Sequence, residues 1–179
     1  MKKLSLLFVT CLLVATTFAQ RDGFDRNGNI NIDDQYTDLM EIESGGVFRG
    51  ASFDMTKEAV YGYETERSTT SVYQDDPNEF VITTDMGSDI LNFADVTYKF
   101  DEEGLYHIKV ETYATDAGAA EQLYQKIKSF YTGKYGAGVI AEDGYLEFKG
   151  SNRSHDYIVA IENLGYEDSP GMYLYFYID

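Results

Sequence analysis

The stretch VTYKFDEEGLYHIKVET, residues 96–112, decides how this chain is read. Val96, Tyr98 and Phe100 alternate with Thr97, Lys99 and Asp101, the period of a strand with one buried face. Asp101-Glu102-Glu103-Gly104 supplies the turn, and Gly104 is free to take a positive φ. On the return, Tyr106, Ile108 and Val110 alternate with His107, Lys109 and Glu111. The stretch therefore reads as an antiparallel hairpin with an inward row of aromatic and β-branched side chains.

Downstream, Asp116 precedes a stripe of Ala119, Leu123, Ile127, Phe130 and Tyr131, the spacing of an amphipathic helix. Lys126, Lys128 and Lys134 load its C-terminal half, as the macrodipole favours, and Tyr135-Gly136-Ala137-Gly138 ends it. Three strand patterns follow at residues 145–149, 157–163 and 172–178. In the last, Met172, Leu174, Phe176 and Ile178 share one face, while Tyr173, Tyr175 and Tyr177 share the other.

Upstream, a short helix is expected between Asp54 and Glu64. Asp54 or Thr56 is its cap, and Glu58 lies in its first turn. Met55, Ala59, Val60 and Tyr63 are its core face, and Gly62 limits its length. Residues 46–50 read as a short strand or an extended lead-in. Ser71 to Tyr73 is a faint strand pattern and Glu79 to Thr84 a clearer one, with a turn at Asp75-Asp76-Pro77-Asn78 between them. The segment from Asp85 to Asp95 reads as a loop anchored by Ile90, Leu91 and Phe93.

The order helix, strands, helix, strands implies an α+β fold: an antiparallel sheet of about five to six strands with two helices packed on one face. The other face is then rich in Tyr and Thr and partly open to solvent. The order also divides into two halves, each a helix followed by about three strands, although no residue-level self-similarity supports a repeat.

The 179 residues carry 31 acidic against 14 basic side chains, a formal net charge of −17. Such a surface repels phosphate backbones and anionic lipid heads, so nucleic acid is excluded as a partner. A basic protein is the partner that charge alone favours. Sixteen tyrosines and no tryptophan are present. Tyrosine suits half-buried strands, and it also offers large rigid contact area to a protein or a glycan.

The first twenty residues have a basic start, an apolar run from Leu4 to Ala15 and a small-residue junction at Ala19-Gln20, the pattern of a secretory signal. The run is too short for a span of hydrocarbon, so no membrane span is expected. Cys11 is the one cysteine. Leu12, Leu13 and Val14 continue the apolar run past it, which is unlike a lipid-anchored cysteine. The expected organisation is a signal peptide at 1–19, a polar N-terminal arm at 20–45 and a single α+β domain at 46–179. The protein is expected to be secreted or periplasmic and to fold without thiols or disulfides.

The run FDMTKEAV, residues 53–60, resembles the F-G-M-T-x-E-E-V pattern that opens small exported helix-then-strands domains. Domains of this kind include the β-lactamase inhibitor proteins and the small outer-membrane assembly lipoproteins. The end of the second helix, Lys134-Tyr135-Gly136, is similar to the L-x-x-K-Y-G helix end of many uncharacterised exported bacterial proteins. The Ala19-Gln20 junction resembles processing sites of Bacteroidota. Asp54 stands where the pattern has glycine, and the lipoprotein cysteine is missing. The resemblance implies a non-catalytic binding or inhibitory fold.

Few residues suggest chemistry. In the arm, Asp25, Asn27 and Asp34 fall at calcium-loop positions around Gly28, but Gly23 at the first position supplies no carboxylate. His107 is expected to point outward beside Lys109 and Glu111. Ser154-His155-Asp156 are neighbours in sequence, whereas triads assemble from separate segments. Glu102-Glu103 and Asp75-Asp76 sit at turn tips where solvent keeps both members ionised, so no acid/base pair stands out. Asn152-Arg153-Ser154 matches a glycosylation sequon.

No catalytic residue and no cofactor is assigned. The expected function is an exported binding module for a protein or glycan of the cell envelope, working through Tyr173, Tyr175 and Tyr177. The alternative is an acidic inhibitor or immunity protein that neutralises a basic exported toxin or enzyme. A hydrolase would require a buried carboxylate in a deep pocket.

Overall fold

The computed structural model describes residues 46–67, 70–85, 91–164 and 170–179. The leader, the arm and the calcium-loop residues Asp25, Asn27 and Asp34 lie outside the described residues. The chain forms helix α1 (Lys57–Thr65), strands β1 (Thr70–Asp76), β2 (Glu79–Asp85), β3 (Leu91–Phe100) and β4 (Leu105–Ala114), then helix α2 (Ala117–Tyr135). Strands β5 (Val139–Ile140), β6 (Leu146–Ser151), β7 (Asp156–Leu164) and β8 (Gly171–Ile178) complete it.

The fold class is α+β, but the sheet has eight strands and not five to six. The additions are at its edges. β1 is exposed along nearly its whole length, so burial imposes no alternation on its sequence. β5 has two residues, too few to show a period. The supposed loop from Asp85 to Asp95 also contributes, since β3 starts at Leu91.

Strand order is β1-β2-β3-β4-β8-β7-β6-β5, and every pairing is antiparallel. Each half is a helix followed by a four-stranded meander, and the last strands of the halves, β4 and β8, pair at the centre. One register row runs Tyr98, Ile108, Phe176, Val159, Phe148 across five strands, and all five side chains are buried. Tyr61 of α1 packs edge-on against Phe80, the neighbour of Tyr98 in the sheet. Tyr131 of α2 meets Phe148 and Phe176. Both helices therefore cover the same face.

The long helix follows its sequence pattern. Asp116 Oδ1 accepts the Ala119 N–H at 2.8 Å, and Ala119, Ala120, Leu123, Ile127 and Tyr131 are buried. The Tyr131 hydroxyl is buried without a hydrogen-bond partner among the described residues. An unsatisfied buried hydroxyl is unfavourable. Tyr131→Phe is accordingly expected to stabilise the fold by about 1 kcal/mol, read as a higher denaturant midpoint at unchanged slope. A lower midpoint would show that the hydroxyl is satisfied in solution.

The short helix differs from its pattern. Thr56, not Asp54, is the cap, with Ala59 N–H donating to its hydroxyl at 3.3 Å. Its buried residues are Val60 and Glu64, whereas Ala59 is exposed and Tyr63 is 48 % exposed. The stripe is turned because a glutamate faces inward. Its counter-charge comes from the turn at residues 47–51, which is no strand but a buried knot closed by a Phe48–Ala51 bridge. Arg49 there is 1 % exposed and grips Glu64 with two bonds of 3.0 Å, Nε to Oε1 and an Nη to Oε2. The Tyr98 hydroxyl donates to Glu64 Oε1. Phe48 meanwhile packs on Phe176 at 5.0 Å and an Arg49 Nη donates to the Thr70 hydroxyl of β1 at 3.4 Å, so the knot touches both halves of the sheet.

Asp54 has φ 74°, the left-handed region where aspartate is tolerated and glycine is at ease. Gly104, at φ 124°, ends the β3–β4 turn as expected. A Cβ on Gly104 would lie 2.7 Å from the Asp54 carbonyl, so the turn and the lead into α1 are in direct contact.

Candidate functional site

The face without helices carries the odd-numbered residues of β8. Tyr173, Tyr175 and Tyr177 all project from it and are half-buried. Register fixes their neighbours. Tyr177 lies between His107 and Ile158, Tyr175 between Lys109 and Ala160, and Tyr173 between Glu111 and Glu162. The structure thus brings the three tyrosines into one column at the middle of the sheet.

Each ring is held from the side. The Tyr177 hydroxyl donates to Glu147 Oε1 at 2.9 Å. Tyr175 stacks on Tyr145 with centroids 5.6 Å apart. Tyr173 is paired in register with Glu111, and Lys109 Nζ stands 4.4 Å above its ring. Burial, with nearby carboxylates or phenols, raises the pKa of all three: Tyr177 is pushed up to about 12, and Tyr173 and Tyr175 also move upward. The three phenols are neutral donors at physiological pH.

His107 is in this column too, flanked in register by Lys99 and Tyr177. Burial and the charges of Lys99 and Lys109 depress its pKa to about 4. Its ring is 6.2 Å from Tyr175 and 6.4 Å from Tyr177, and its Nδ1 is buried without a hydrogen-bond partner among the described residues. The sequence placed His107 outward, which holds, but gave no sign of how far the tyrosines enclose it.

A cleft of about 370 Å³ opens here, lined by Tyr145, Tyr175, Tyr177, His107, Tyr106 and Asp143. Tyr106 was expected to face inward with Ile108. Instead it is 38 % exposed, because the pairing slips between Lys99 and Phe100 and leaves Tyr106 as the extra residue of a bulge. Bulges re-aim side chains in this way. No alternation rule can foresee that, since the slip itself breaks the period.

The remaining candidates are separate from this cleft. His155 pairs through Nε2 with Asp54 Oδ1, a partner distant in sequence, while the backbone N–H groups of Ser154 and His155 donate to Asn152 Oδ1. Ser154-His155-Asp156 therefore does not form a relay. Glu64 is a buried carboxylate, but its oxygens are taken by Arg49 and Tyr98 on the helix side of the sheet. Lys57 binds Asp75 and the Asp76 carbonyl, and Glu102 and Glu103 are exposed at a turn. Among the described residues no cluster of three His, Cys, Asp or Glu side chains could hold a metal, and no helix is long and apolar enough to cross a membrane.

Comparison of the chain with protein-family models, with curated proteins and with solved structures returns no match.

Proposed function

We propose that the chain is an exported, non-catalytic binding module that engages an envelope ligand through the tyrosine-bearing sheet face. The observation that supports this reading is the column of Tyr173, Tyr175 and Tyr177 on the face opposite both helices, half-buried and each flanked by a fixed neighbour: Lys109 over Tyr173, Tyr145 stacked on Tyr175 and Glu147 bound to the Tyr177 hydroxyl. Rings already fixed by their neighbours lose little conformational entropy when a ligand covers them. Tyrosines of this kind concentrate binding energy.

Affinity capture from an envelope extract tests the reading. The full chain and Tyr63→Ser, altered at an exposed ring of α1, are expected to retain the same partner. The triple variant Tyr173→Ser, Tyr175→Ser, Tyr177→Ser is expected to lose it while keeping its circular dichroism. Equal capture by the folded triple variant would remove the idea.

The net charge of −17 favours one second reading, an acidic inhibitor or immunity protein for a basic exported enzyme or toxin. Its mark is an association rate that falls steeply between about 50 mM and about 0.5 M salt as the Debye length shrinks. Capture that is indifferent to salt would discard it.

A further inference from the structure

Resting on that reading of the tyrosine face, we propose that its cleft binds an uncharged saccharide chain, with a pyranose ring seated against Tyr145 and Tyr175 and its hydroxyls turned toward His107, Asp143 and Tyr106.

Charge narrows the ligand class first. The three lysines of this face are already matched: Lys99 with Glu79 at 3.6 Å, Lys109 with Glu111 at 2.9 Å and Lys149 with Asp179 at 3.2 Å. His107 is neutral at physiological pH, held so by burial and by the charges of Lys99 and Lys109. The cleft therefore offers no surplus cation to a phosphate or a carboxylate ligand. In a chain of net charge −17, an anionic chain would also meet long-range repulsion.

Shape and polarity narrow it further. The cleft volume of about 370 Å³ is at the small end of the range for small-ligand sites, ~300–1,000 Å³. Its lining is mostly aromatic rings, with His107 and Asp143 as the few polar groups, as in sites that fix a ligand by a few directed bonds. A pyranose has C–H faces that suit an aromatic wall and a rim of hydroxyls that each donate and accept. Such hydroxyls can satisfy either tautomer of His107, whose Nδ1 lacks a partner among the described residues. The Asp143 carboxylate is an acceptor only.

Length comes from the bulge. Tyr106 lines this cleft and also a second, more polar depression of about 850 Å³ that includes Asn78, Asp101 and Glu102. The two hollows meet at one exposed ring, so the trough suits a linked chain better than a single sugar.

The test uses the full chain with defined hexamers: cellohexaose, mannohexaose and fully N-acetylated chitohexaose as neutral probes, a galacturonate hexamer as the anionic one and hexalysine as the cationic one. With no tryptophan present, the intrinsic emission reports on tyrosine, and calorimetry provides a second readout. At least one neutral hexamer is expected to bind with an affinity that low and high salt leave unchanged. Tyr145→Ala is expected to weaken it about tenfold or more. Tyr106→Ala, at the more exposed bulge position, is expected to do the same and guards against misfolding of the first variant.

The proposal is overturned if no neutral hexamer binds at about 10 mM, or if binding survives both substitutions. Preference for hexalysine with steep salt dependence would equally overturn it, in favour of a basic peptide. If the triple tyrosine variant loses its envelope partner while no neutral hexamer binds, the saccharide fails and the binding-module reading stands.

Discussion

Glu64→Gln is expected to lower the unfolding free energy by about 3–5 kcal/mol, the largest loss foreseen for any conservative change in this chain. The substitution keeps the size and removes the charge. Arg49 would then stay buried, 1 % exposed, without the carboxylate that binds it at two points. Arg67 approaches Glu64 at 3.8 Å and donates to the Arg49 carbonyl, so a second cation would also lose a nearby negative charge. The buried Tyr98 hydroxyl loses a charged acceptor in the same step.

The size of the loss reflects a buried cation deprived of its carboxylate more than the worth of the pair. A double-mutant cycle separates the two. Replacing both partners, Arg49→Leu with Glu64→Leu, is expected to destabilise far less than Glu64→Gln alone. Denaturant midpoints at constant slope measure both. A loss below about 1 kcal/mol for Glu64→Gln would mean that solvent reaches Arg49 and that the knot at residues 47–51 is looser than described.

Gly171→Ala is the second large effect, expected at about 3 kcal/mol destabilising or more. A glycine-to-alanine change at a compatible site stabilises by about 0.4–1 kcal/mol through the unfolded chain, so the sign is informative. Here a Cβ would lie 2.0 Å from the Thr112 carbonyl oxygen and 3.1 Å from its carbon. The obstacle is backbone, not the mobile end of a side chain. At this point β8 leaves the register with β4, and the Thr112 hydroxyl takes over: it accepts the Met172 N–H at 2.9 Å and donates to the Met172 carbonyl at 3.1 Å. Ala114 N–H donates to the Pro170 carbonyl beyond it. Pushing the strands apart breaks these bonds at the seam between the two halves. Native-state hydrogen exchange should show the loss first at Met172 and Ala114. An unchanged or raised midpoint would mean that the seam accommodates a methyl group.

Local periodicity was enough for the parts of this molecule whose burial is regular. The hairpin at residues 96–112, the capped helix from Asp116 and the alternation of β8 could be read directly, because each repeats its environment every 2 or 3.6 residues. That reading also separated Tyr173, Tyr175 and Tyr177 from the core row of Met172, Leu174 and Phe176. The inward glutamate of α1 was illegible, since its partner Arg49 is 15 residues away and no local rule predicts a buried acid. The edge strands were missed or faint because nothing buries β1 and because β5 is too short. Whole-chain composition and the α+β order were therefore matters of sequence. The central β4–β8 pairing, the eight-stranded count, the bulge that turns Tyr106 outward and the meeting of Tyr145 with Tyr175 were decided only by tertiary structure. The physical reason is that each depends on a contact between distant segments, and a contact leaves no period in either segment alone.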